Sequence, residues 1–190
     1  MGTNRLEAFS DGVIAVIITI MVLELKAPRD TTLASLRGVL PQFLSYLLSF
    51  LVVAIMWVNH HHLLHSARRA DARLLWSNNL LLFWMSLVPF VTAFMGDNHR
   101  DPHAVALYGV VLSLCSVSFA VLRWAIIQHH RDNPEMFSYH GHGAFKNIYS
   151  LVLYLASIPL AFVDVRVSFF IFVFVALSYF VPERKLAEGA

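Results

Sequence analysis

Apolar residues run in six long blocks along the chain, at residues 6–25, 39–58, 75–95, 104–127, 148–163 and 167–181, and polar residues collect between them. A helix crossing the hydrocarbon core of a bilayer needs about 20 mostly apolar residues, so the blocks predict six transmembrane helices. The last two are short and separated only by Asp164, Val165 and Arg166, which makes them a tight helical hairpin. Proline lacks an amide hydrogen and ends or kinks helices, and Pro28, Pro102, Pro134 and Pro182 stand at predicted boundaries. Pro41, Pro89 and Pro159 lie inside or near spans and are expected to bend them. The hydrophilic stretch from Arg131 through Pro134 and Glu135 to His142 and Gly143 reads as a loop. Loops this short leave no room for a second domain, so residues 1–190 are expected to form one all-α integral membrane domain of six spans.

Composition supports the membrane reading. Of the 190 residues, 58% are apolar and 14% charged, with a mean hydropathy of +0.64, well beyond an ordinary soluble domain. The lone Cys115 excludes an intramolecular disulfide. Although the first block resembles a signal peptide in length, Glu7 and Asp11 do not suit a signal n-region and Pro28 follows the only small-residue site, so it reads as retained. An even number of spans puts both termini on one side. Nine basic residues fall on that side (Arg5, Arg68, Arg69, Arg73, Arg123, Arg131, Lys146, Arg184, Lys185) and five on the other (Lys26, Arg29, Arg37, Arg100, Arg166). The positive-inside rule then predicts cytoplasmic termini in a multi-pass protein of the cell membrane. A net charge of +2 and the absence of any nucleic-acid motif argue against that class of partner.

Candidate chemistry concentrates where Arg5, Phe9, Ser10, Asp11, Gly12 and Val13 lead into the first span. An aspartate at the hydrocarbon edge costs about 2.5 to 3.5 kcal/mol on insertion scales, so it persists only with a partner or a task. At 100° per residue, Val16, Thr19, Ile20 and Leu23 share one helix face, while Asp11 lies about 130° from their mean direction. That face admits two readings. One is ordinary helix packing. The other is the wall of a conduit, in which branched side chains expel water and threonine oxygens coordinate a partly dehydrated cation. Asp11 points elsewhere and is better placed to tie helices together, with Arg5, Trp57, His60, His61, Asn78 and Asn79 as partners at the same depth. Its alternative is solvation by headgroups near the helix N-terminus, favoured by the helix dipole.

The pattern Arg5-x-x-x-Phe9-Ser10-Asp11-Gly12-Val13, followed by Ala15-Val16-Ile17-Ile18-Thr19, resembles the first-helix signature of prokaryotic members of the transmembrane protein 175 family, relatives of the endosomal and lysosomal potassium channel. Trp57 with His60 and His61, Asn78 with Asn79, and Pro89-Phe90 extend the resemblance into the next two helices. It implies a cation channel whose pore is lined by four copies of the first helix, without the Thr-Val-Gly-Tyr-Gly filter of ordinary potassium channels. No such filter occurs here. Carried over by position, Val16 corresponds to the cytoplasmic-side apolar ring, Thr19 to the hydroxyl layer and Leu23 to the outer apolar ring, with Ile20 beside them. Val16 departs from the isoleucine or leucine usual in the family, which implies a wider constriction.

One stripe per chain cannot surround a conduit, so the stripe must meet copies of itself about a closed symmetry axis. Double-repeat relatives would achieve this with two chains, which makes a homotetramer the expectation here. The expected partners are further copies of the chain, the lipid bilayer and potassium ions, with no cofactor beyond permeating K⁺. The expected activity is passive, potassium-preferring conduction, with a proton-conducting channel or a secondary cation transporter as alternatives. Coupled transport predicts broken helices and buried ionisable groups at mid-depth, and the spans carry almost no charge there.

His60, His61, His62 and His65, with His129, His130, His140 and His142, raise the separate possibility of a metal site. Their spacings complete no histidine-box set, membrane-facing carboxylates are few, and no nucleophile and base pair is evident. Structural or interfacial roles are therefore expected, with no metal and no enzymatic activity. Glu24 and Lys26 read as snorkelling residues at the outer end of the first span. Trp57, Trp76, Trp84 and Trp124 read as interface anchors.

Overall fold

A computed structural model describes residues 3–28, 30–67, 71–128 and 134–180, with side chains from residue 144 onward in the last stretch. The described residues form helices and no strands: α1 (Thr3–Leu23), α2 (Leu33–Gly38), α3 (Leu40–His65), α4 (Ala72–Ser86), α5 (Val88–Asp97), α6 (Pro102–Gln128), α7 (Pro134–Ala161) and α8 (Val165–Ser178). Side-chain caps set several starts. Thr32 Oγ1 accepts the Ser35 amide at 3.2 Å, Asp71 Oδ1 the Leu74 amide at 2.8 Å, and Asp164 Oδ1 the Arg166 amide at 2.9 Å. Before α6, Asp101 accepts the His103 amide at 2.8 Å and His103 Nδ1 at 3.0 Å, which holds its carboxyl below the usual carboxylate range.

Five helical stretches are long and apolar enough to cross a membrane: α1, α3, Ala72–Asp97 (α4 with α5), α6 and the Ala144–Ala161 part of α7. The sixth apolar block gives the 14-residue α8, about 21 Å long at the usual rise. Pro89 cannot donate to the Met85 carbonyl, and the third span breaks there, with the Leu87 amide turning back 3.2 Å to Trp84 O. Pro41 stands in the same position in the first turn of α3, two residues past the break at Val39 that separates α2 from α3, where the Val39 amide turns back to Arg37 O. Pro134 likewise opens α7, so residues 134–143 continue the helix rather than forming the loop expected from their polarity. The short α2 had no counterpart in the hydrophobic pattern.

The most enclosed helix is α6, which packs against α4, α5, α7 and α8 and buries Tyr108, Leu112, Cys115 and Leu122 completely. α1 lies on the outside of this bundle against α3, α4 and α5. Lipid tails are as apolar as leucine, so close packing and interhelical hydrogen bonds hold such helices together. Buried hydroxyls link α3, α5 and α6: Thr92 Oγ1 lies 2.7 Å from Ser49 Oγ, which is 3.0 Å from Tyr108 OH. At Gly109 the α6 backbone meets α7 so closely that a Cβ would stand 2.7 Å from Ser157 Oγ and 3.3 Å from Ile158 Cγ1. Ser157 Oγ already donates to Tyr154 O at 2.7 Å. Gly109→Ala is therefore expected to destabilise the bundle by about 1–3 kcal/mol, the usual cost of overpacking, read as a lowered melting temperature in detergent.

Candidate ion pathway

The two faces of α1 have opposite surroundings. Leu6, Ser10, Ile14, Ile17 and Met21, spaced three or four apart, are buried against α3, α4 and α5. Along the opposite side Val16 is 56%, Ile20 42% and Leu23 74% exposed, and Thr19 is exposed between them. The stripe spans two helical turns, about 10 Å. Thr19 Oγ1 donates to the Ala15 carbonyl at 2.8 Å. With its hydrogen committed to the helix, what the hydroxyl keeps is acceptor capacity, the polarity a cation requires.

Behind the stripe, α1 is held by side chains. Asp11 Oδ1 accepts from Trp57 Nε1 of α3 at 2.8 Å. Ser10 Oγ donates to Leu6 O at 2.8 Å and accepts from Asn78 Nδ2 of α4 at 3.0 Å. Asn78 Oδ1, which can only accept, lies 2.7 Å from His60 Nε2, so the imidazole proton sits on Nε2. Ser10, His60 and Asn78 have no exposed surface, and the three helices are thus joined by one continuous buried chain of hydrogen bonds. Nearer the N-terminus, Glu7 Oε1 lies 2.7 Å from His61 Nδ1, and the His61 ring stacks on His65 with centroids 6.2 Å apart.

Arg5, Phe9 and Asn79, expected in this network, stay outside it and are exposed. Helical geometry is the reason. Arg5 lies about 140° around α1 from Ser10, Phe9 about 100° from it, and Asn79 about 100° around α4 from Asn78. Trp57 is more than an interface anchor, because its indole N–H is spent on Asp11. Among the described residues no three His, Cys, Asp or Glu side chains converge. His129 and His130 lie outside the described residues, as do the side chains of His140 and His142. The hydroxyl chain Ser49–Thr92–Tyr108 had escaped the sequence reading, because its members stand singly on three helices and meet only in the fold.

A bundle of apolar helices long enough to cross a membrane, with exposed apolar side chains on its outer faces, defines an all-α integral membrane protein, and within it α1 is anchored from behind by polar contacts. Comparison with known proteins places it further. The family profile described as "Endosomal/lysosomal potassium channel TMEM175" matches residues 5–89. A potassium channel of Chryseobacterium sp. (strain P1-3) is 39% identical over 189 residues, covering 100% of this chain and 98% of that protein. The endosomal/lysosomal proton channel TMEM175 of Bos taurus is 28% identical over 96% of this chain and 42% of its own length. The crystal structure of a lysosomal potassium-selective channel TMEM175 homolog from Chamaesiphon minutus superposes with a TM-score of 0.80 at 29% identity, covering 93% of this chain and 95% of that one. The chain belongs to the TMEM175 channel family.

Proposed function

We propose that this protein is a potassium-preferring cation channel, conducting passively through a central pore formed where α1 helices of four copies meet. The observation that carries this reading is the uncovered stripe Val16, Thr19, Ile20 and Leu23 on a helix whose other side is tightly packed. Four copies bring four Thr19 oxygens to one level, enough to replace part of a cation's hydration shell. Val16, Ile20 and Leu23 form apolar rings that throttle the path by dewetting. Asp11 contributes by aiming the helix, since its carboxylate is engaged with Trp57 away from the stripe. The names of the bacterial relatives, potassium channels, support the choice of ion. The basic residues favour cytoplasmic termini in the cell membrane.

Reconstitution into liposomes under K⁺ and Na⁺ gradients tests the proposal. Downhill K⁺ flux exceeding Na⁺ flux is expected, and Thr19→Val, which keeps shape but removes the oxygen, is expected to cut K⁺ flux and the K⁺ over Na⁺ preference severalfold. Unchanged flux and preference would remove Thr19 from the pathway. A native mass corresponding to four chains of 21.5 kDa is expected. Proton conduction is the second reading, favoured by the name of the mammalian relatives. Flux driven by a pH gradient alone, persisting without K⁺ or Na⁺, would select it.

A further inference from the structure

Charge is sorted around α1 as sharply as apolarity is. At 100° per residue, Arg5 lies within about 10° of the mean direction of Val16, Thr19, Ile20 and Leu23, whereas Glu7 and Asp11 lie about 170° and about 130° away from it. Both carboxylates are engaged on α3: Glu7 Oε1 is 2.7 Å from His61 Nδ1, and Asp11 accepts from the Trp57 indole. Arg5 is exposed, and among the described residues it enters no hydrogen bond or ion pair. Phe9 and Gly12 continue the same face between Arg5 and Val16. Phe9 is 55% exposed, and a Cβ added at Gly12 would meet nothing within 4 Å. The uncovered face therefore runs on from Val16 toward the N-terminus for about 16 Å and ends on a guanidinium group.

We infer that Arg5 is a valence filter at the mouth of the ion pathway nearest the N-terminus, an inference that rests on the pore reading above, in which four copies of α1 meet about one axis. Any assembly that turns Val16 and Leu23 toward that axis turns Arg5 toward it too, so four guanidinium groups ring the entrance. Four unit charges each about 8 Å from a shared axis in water lower K⁺ on that axis about threefold at physiological ionic strength, and hardly at all in 1 M salt, where screening acts within about 3 Å. A divalent cation feels the same potential with twice the charge, so its exclusion is the square of that for K⁺, about tenfold. The ring slows K⁺ entry modestly and holds Mg²⁺ and other divalent cations away from the constriction at Val16. Depletion at this mouth also weakens current entering from it more than current entering from the other end.

Single channels of the full-length protein in planar bilayers provide the test, because each channel sits in one orientation. Arg5→Gln is expected to raise K⁺ current entering from the N-terminal side about threefold and to strengthen Mg²⁺ block from that side about tenfold, with both differences lost in 1 M KCl. Arg5→Lys is expected to stay close to the native protein. Arg5→Cys separates charge from structure. The single native thiol, Cys115, is fully buried, so a membrane-impermeant thiosulfonate modifies position 5 alone. A cationic reagent is expected to restore native current and resistance to Mg²⁺, and an anionic reagent of similar size to move both further from native than Arg5→Gln does. Reagents of opposite charge acting alike, or no effect of charge at position 5 while Thr19→Val alters the current, would overturn the filter and leave the pore standing. A current insensitive to both positions would overturn the pore reading with it. Loss of the tetramer in Arg5→Gln but not in Arg5→Lys, read by native mass spectrometry, would make Arg5 a contact between copies and overturn the filter.

Discussion

Leu23→Ala is expected to raise downhill K⁺ flux in liposomes on the order of tenfold, and Val16→Leu to lower it. Leu23 is 74% exposed within the chain, so its truncation removes little internal packing and acts where α1 meets whatever covers it. A tenfold change corresponds to about 1.4 kcal/mol on the barrier. Shortening leucine to alanine removes three carbons from each ring position, and one methylene of apolar contact with water is worth about 0.8 kcal/mol, so even partial relief of dewetting reaches that size. Val16→Leu adds a carbon at a position where the native side chain is short, and closes the ring instead. The opposite signs are diagnostic. A stripe facing lipid tails changes flux in neither variant, and stopped-flow measurement of K⁺ efflux reads the difference directly.

Asn78→Leu is expected to lower stability. The asparagine serves two fully buried partners at once, donating to Ser10 and accepting from His60. Leucine matches its volume approximately but leaves both groups unsatisfied. In a soluble core each orphaned group costs about 1–3 kcal/mol. Within membranes the measured worth of such bonds averages nearer 0.6 kcal/mol, because the unfolded chain in lipid also finds partners. The lower scale applies here, and two lost bonds put the expected destabilisation at about 1 kcal/mol, measured by thermal unfolding in detergent. Adding Ser10→Ala to Asn78→Leu should cost less than the sum of the two single changes, because the Ser10–Asn78 contact is already gone. Strict additivity would show that the two residues act independently.

Much of this architecture is legible in the sequence, because a bilayer requires long apolar runs and helices are the only open-ended way to satisfy the backbone inside one. Helical arithmetic also separates Asp11 from the stripe, and the structure turns it toward Trp57. The same arithmetic, applied to α1 and α4, would have set Arg5 and Asn79 aside from Ser10 and Asn78. Depth and the family signature had grouped them. Residues 134–143 read as a loop because polarity was weighed above the fitness of Pro134 for a first helical turn. A cavity of about 50 Å³ between α3, α6, α7 and the end of α8, lined by Arg123 and Lys146, was beyond reach of any single-segment pattern. It exists only because four helices converge, and each contributes residues that look like routine interfacial polars in isolation.

The shortness of α8 bears on the membrane as well as on the protein. At about 21 Å against a hydrocarbon thickness of about 30 Å, it cannot match the bilayer without help. Hydrophobic mismatch of this kind is relieved by thinning the surrounding lipid or by drawing interfacial side chains inward. Acyl-chain length therefore sets how much mismatch α8 carries where it meets lipid, whereas the 28-residue α7 beside it is long enough for the full thickness.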